Sequence, residues 1–124
     1  MSANRASLEI QLAADPALLA TARLFAAAAA RAAGCDDDVV EDVRLAVSEA
    51  CARSMRGAVD GDRIGIDAHL GLASVAFVVE GPTGPSADDD IDGLDLVAAL
   101  FPSATTSADG RRATIRFDAP AGSS

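Results

Sequence analysis

Residues 42–54 read Asp42-Val-Arg-Leu-Ala-Val-Ser-Glu-Ala-Cys-Ala-Arg-Ser54, and the spacing of their apolar residues predicts a helix. Val40, Val43, Val47, Ala50 and Ser54 recur every three or four positions, which places them on one face of a 3.6-residue repeat. Asp36, Asp37 and Asp38 precede the run. Carboxylates there favour the positive end of the helix dipole, so the helix is expected to open at these residues and fade near Gly57. Off the apolar face the same stretch carries Glu49 and Arg53, four residues apart with the acid first. On a helix surface that order is worth a few tenths of a kcal/mol, roughly.

Upstream, Leu8-Glu-Ile-Gln-Leu12 alternates as a half-buried strand should. Asp15-Pro16 then opens a first helix, with Asp as the cap and Pro in the first turn. Leu18, Ala22, Phe25, Ala29 and Ala33 share a stripe on that helix, and Gly34 ends it. Downstream, Ile64–Leu70 and Ser74–Val79 read as two strands joined through Gly71, and Arg112–Phe117 as a final one. Between the last two lie a loop from Gly81 to Asp92 and a short helix, Leu94–Phe101. The expected fold class is α/β, a two-layer sandwich in which helices cover one face of a mixed, mostly antiparallel sheet.

The 124 residues suit a single domain spanning 1–124, with a core at about 8–118 and a loose tail at 119–124. Half the residues are hydrophobic, which argues against a disordered chain. The net charge is −9, and all ten basic residues are arginines, with no lysine, tyrosine or tryptophan. Direct nucleic-acid binding is not expected, because phosphate contacts need a positive surface and single strands usually stack on aromatic platforms. A basic protein partner suits the charge better. No apolar run approaches the roughly 20 residues that span a bilayer, since the alanines at 26–30 stop at Arg31. With no signal-peptide core after Met1, a cytoplasmic location is expected. Cys35 and Cys51 lack metal-ligand spacing and read as reduced, near-core thiols. His69 stands alone as a rim residue, and Ser48 and Ser54 sit in no nucleophile motif. Asp88-x-Asp90-x-Asp92-Gly93 matches the first half of a calcium loop, but position twelve is Ala99, so a solvated acidic loop is the better account.

Leu45-Ala-Val-Ser-Glu-Ala50, following an Ala-rich helix that bears Ala22-Arg23, resembles the serine-kinase anti-sigma factors of the GHKL ATPase superfamily. The similarity extends over roughly Leu8 to Asp118. It implies a GHKL (Bergerat) α/β sandwich, with Glu49 at the position that activates water or the acceptor hydroxyl. The family then has an Asn four residues on, whose carbonyl helps to hold Mg²⁺ on ATP. Here that residue is Arg53, which has five donors, no acceptor lone pair and a permanent charge. The Asp-x-Gly-x-Gly motif that reads adenine corresponds to Glu80-Gly-Pro-Thr-Gly84, where only Gly84 is retained. The glycine-rich turn over the phosphates is reduced to Gly93-Leu-Asp-Leu96. Glu80, Asp88, Asp89, Asp90, Asp92 and Asp95 would further repel a triphosphate.

Glu49, Arg53, Glu80, Gly84 and Gly93 are thus positions of a degenerate nucleotide site, and ordinary Mg-ATP binding is not expected. Arg53 either forms the surface pair with Glu49 or fills the abandoned cavity and neutralises that carboxylate. The resemblance implies an anti-sigma regulator that sequesters an RNA polymerase sigma factor and is relieved by a STAS-type anti-anti-sigma protein. Arg23 is then a candidate partner contact, and a homodimer is expected from the family. The alternative is an active serine kinase that uses ATP and Mg²⁺, with Glu49 as catalytic base and the anti-anti-sigma partner as substrate.

Overall fold

A computed structural model describes residues 6–82 and 91–121. The chain runs β1 (Ala6–Ala13), α1 (Leu19–Ala33), α2 (Asp37–Arg56), β2 (Arg63–Leu70), β3 (Ser74–Pro82), α3 (Ile91–Leu100), β4 (Thr105–Asp109) and β5 (Arg112–Pro120). The strands form one sheet in the order β1-β2-β3-β5-β4. All four pairings are antiparallel, so the mixed sheet expected from sequence is an antiparallel one.

Local chemistry sets the ends of the helices. Asp15 Oδ1 accepts from Ala17 N at 2.9 Å and caps a single 3-10 turn, Pro16–Leu18, that leads into α1. At the other end Gly34 takes φ 90°, Cys35 N donates to Ala30 O and Gly34 N to Arg31 O, each at 3.0 Å. That pair of bonds is a Schellman motif, and its left-handed residue is glycine because a Cβ would be strained there. α2 begins after Asp36 with Asp37 and Asp38 in its first turn and ends with Arg53 and Arg56 in its last, both favourable to the helix dipole.

One face of the sheet is covered and the other open. Ile64, Ile66, Ala68, Val75, Phe77, Val79, Ile115 and Phe117 are buried beneath the helices. Across from them the expected face of α2, Val40, Val43, Val47, Ala50 and Ser54, is buried from end to end. Phe117 stacks on Phe101 at 4.6 Å and on Phe77 at 5.4 Å, tying the residue after α3 to the sheet. α1 lies toward β1 and β2, α2 over β3 and β5, and α3 beside α2. The open face carries the alternate residues, among them Glu9, Asp67, Glu80, Arg116 and Asp118. His69 sits there half-buried, its Nδ1 3.1 Å from the hydroxyl of Ser7, its register partner.

Four boundaries differ from those expected. β3 continues through Glu80, Gly81 and Pro82, which pair with Thr114, Ala113 and Arg112, so no loop begins at Gly81. α3 starts at Ile91, taking up Asp92 and Gly93. β5 reaches Pro120, and Ala119 is buried against the core, so residues 119 and 120 belong to the sheet and not to a tail. β4 was not expected at all. Its link to β5 is a two-residue hairpin in which Gly110 has φ 64° and Arg111 a negative φ, the signs of a type II′ turn.

Candidate functional site

The site suggested by sequence centres on the C-terminal half of α2. Glu49 and Arg53 are both half-buried, one turn apart on the flank of α2 that its core stripe leaves free. No hydrogen bond or ion pair joins them, and among the described residues Glu49 has no polar partner. Neither reading of Arg53 as the counter-ion of Glu49 therefore holds in this structure. Arg53 Nε is instead buried with no hydrogen-bond partner. A buried unsatisfied donor costs on the order of 1–3 kcal/mol.

The next residue, Ser54, is buried where β3 ends against α2. A Cβ on Gly81 would lie 2.8 Å from Ser54 Oγ, 2.9 Å from its Cβ and 3.1 Å from Ile64 Cγ1. Glycine is required there because the strand backbone meets the helix side chain directly. Sequence reading missed this role, although an isolated glycine in a strand pattern is its usual signal.

The remaining predicted residues do not converge on Glu49. Glu80 belongs to the alternate set of β3 residues, whose inward members Val75, Phe77, Val79 and Gly81 face the helices. Its carboxylate is on the open face of the sheet, paired with Arg112 at 3.2 Å. It cannot serve there as the adenine-reading acid, nor add to repulsion around Arg53. Gly93 lies in the first turn of α3 and not in a glycine-rich turn, and Asp95 is exposed on the same helix. Gly84, Asp88, Asp89 and Asp90 lie outside the described residues. So does the first part of the calcium-like motif, whose last two residues, Asp92 and Gly93, are helical. Among the described residues no group of three or more His, Cys, Asp or Glu could hold a metal ion.

Arg23 reaches across from α1, its Nη1 donating to Ser48 Oγ at 3.1 Å. Ser48 is itself buried, so this bond clamps the two helices beside Glu49. Burial pushes the Cys51 thiol up to about 12. Cys35 is raised too, by burial first and then by the neighbouring Asp36 carboxylate. Both thiols stay protonated near neutral pH and are poor nucleophiles.

A two-layer sandwich with an open antiparallel sheet, crossed by a helix bearing Glu49 on its flank, is the frame of a nucleotide-binding ATPase domain. The chain belongs to the histidine kinase-like ATPase domain family, whose model matches residues 12–112. No curated protein matches the chain. Among the described residues no helix is long and apolar enough to cross a membrane. The family implies Mg²⁺ and ATP, but the donor set at Arg53 does not fit a magnesium ligand. The side chain offers no lone pair, and its buried Nε is a donor without an acceptor.

Proposed function

We propose that this chain is a binding regulator built on an ATPase scaffold, an anti-sigma factor that sequesters a sigma factor and is displaced by a STAS-type anti-anti-sigma protein. The observation that carries the reading is Arg53, a charged donor with a buried, unpartnered Nε where the resembled family needs a metal-facing acceptor. Function then rests on protein contacts and not on phosphoryl transfer. The similarity of the Glu49 helix and of the Ala22-Arg23 pair to anti-sigma factors supports the partner class. A net charge of −9 supports it further, since it speeds encounter with a basic DNA-binding partner.

Calorimetric titration with ATP and Mg²⁺ tests the nucleotide half of this proposal. Folded protein should give no saturable heat, and magnesium-dependent binding would overturn it. Co-elution with purified sigma factor, reversed by a STAS protein in the absence of nucleotide, tests the partner half.

One observation favours a second reading. Glu49 is half-buried and, among the described residues, free of any ion pair, so its carboxylate is available as a general base. In an active serine kinase Glu49→Ala would abolish phosphorylation of the anti-anti-sigma partner. In the binding regulator the same change leaves sigma-factor affinity intact and there is no phosphorylation to lose.

A further inference from the structure

The end of β1 meets the turn between α2 and β2 across a cavity of about 370 Å³, with residues 13–16 on one wall and 58–63 on the other. It lies at the low end of the range for ligand clefts, roughly 300–1,000 Å³, with room for one long side chain and its charged head. Backbone bonds hold the walls in place, Ala14 N donating to Asp62 O and Asp62 N to Val59 O, each at 3.0 Å. Asp15, Asp60 and Asp62 line the cavity, and Arg63 is the one basic residue among its walls.

Two of these carboxylates are fixed through one oxygen each. Asp15 Oδ1 accepts from Ala17 N at 2.9 Å, and Asp62 Oδ2 accepts from Val59 N at 2.8 Å. Their second oxygens have no partner among the described residues, and neither Asp60 nor Arg63 forms an ion pair there. Three acids against one base leave the cavity negative. Pro16 borders it and also a hollow of about 190 Å³ walled by Leu19, Ala52 and Met55, with Arg56 at the margin. On the rim of the acidic cavity Val59 is 59% exposed. A lone small cation would leave both the hollow and Val59 in water, whereas a protein segment covers apolar and charged surface together.

We propose that this two-lobed groove receives an arginine side chain of a protein partner in the acidic lobe and a neighbouring aliphatic side chain of the same partner in the hollow. Arginine fits because its planar guanidinium carries five donors and is more weakly hydrated than an ammonium, so it can serve acceptors held on separate segments at once. Carboxylates already fixed by backbone N–H groups need little further ordering when it arrives. Any partner that presents arginine in this way would serve, so failure of the groove leaves the regulatory reading standing, and failure of that reading leaves the groove.

Amide NMR of the full chain tests the proposal. The probe is a capped arginyl-leucine dipeptide, with its citrulline counterpart as neutral isostere and agmatine as the free small cation. The arginyl probe should shift amides across 13–15 and 58–63 together with those of Ala52 and Met55, saturably and less strongly as salt rises. The citrulline peptide should shift none of them, and agmatine should bind more weakly and leave Ala52 and Met55 unmoved. Asp60→Asn should weaken the arginyl probe about two- to fivefold. Adding Asp15→Asn should weaken it further, since asparagine keeps the cap while losing the charge. Ala52→Gln fills the hollow and should lower the dipeptide to the affinity of agmatine. Asp67→Asn removes the same unit of charge from the open face and should change nothing. The spectra themselves show that each variant is folded. Absence of saturable shifts overturns the proposal, as does equal binding of the citrulline peptide. Equal weakening by Asp67→Asn would reduce the effect to overall charge and overturn it too. Agmatine binding as tightly as the dipeptide would make the cavity a site for free cations, which is the opposite of a docking groove.

Discussion

Two stripes of α2, set somewhat more than a third of a turn apart on the helical repeat, have different fates. Val40, Val43, Val47, Ala50 and Cys51 are at most 1% exposed and pack into one core with the sheet. Glu49 and Arg53 are half-buried without a polar partner among the described residues. The packing stripe keeps everything the scaffold needs, whereas Arg53 on the polar flank offers a metal ion no acceptor lone pair. Fold and chemistry are therefore separable along a single helix, because apolar packing is non-directional while ligation depends on one atom of the right kind.

The largest effect should come from the layer facing the packing stripe. Phe117 stacks against two other rings, and Phe117→Ala should cost about 3–5 kcal/mol in denaturant unfolding. An effect below about 1 kcal/mol would mean that the core does not depend on this cluster. Next comes Gly81→Ala, which drives a methyl to within 2.8 Å of Ser54 Oγ. It should cost about 1–3 kcal/mol. Ser54→Gly should recover part of that loss, since both contacted Ser54 atoms go, while Ile64 Cγ1 at 3.1 Å remains. A fully additive pair would show that the helix and the strand end do not touch as described.

The sheet and the first two helices were legible because their signals are periodic. The alternation at Leu8–Leu12 and the valines of α2 each have one geometric solution. β4 was not legible, since Thr105-Thr-Ser-Ala-Asp109 has no apolar alternation and every residue is exposed. It is a strand only because β5 offers it hydrogen bonds. Gly81-Pro82 reads as a chain breaker, yet proline is acceptable as the last residue of a strand, and glycine there answers a steric demand from Ser54. In the candidate site, spacing placed Glu49 and Arg53 on neighbouring turns but said nothing of rotamers, so their lack of contact could not be foreseen. Glu80 was misplaced for a simpler reason. Once β3 is known to continue, its period of two sends that carboxylate to the open face.

Cys51 ties the packing stripe to pH. Burial raises its thiol from 9.0 to about 12, so the folded state holds the proton more tightly than the unfolded chain. The associated stability is complete below about pH 9 and is lost as pH rises toward about 12. Unfolding titrations stepped through this range should show a decline that Cys51→Ala flattens. Equal slopes for the two proteins would mean that the thiol is not desolvated in the native state.

The smallest effect should come from Arg53, and its sign is the informative part. If the guanidinium were the counter-ion of Glu49, Arg53→Met would cost stability, and a cycle with Glu49→Gln would show coupling of a few tenths of a kcal/mol, roughly. With Nε buried and unpartnered, the substitution instead removes an unsatisfied donor while keeping an apolar stem of similar reach. Stability should stay level or rise by up to about 1 kcal/mol, with coupling to Glu49 near zero. A clear loss, coupled to Glu49, would show that the two side chains meet in solution and that the polar flank of α2 is structural after all.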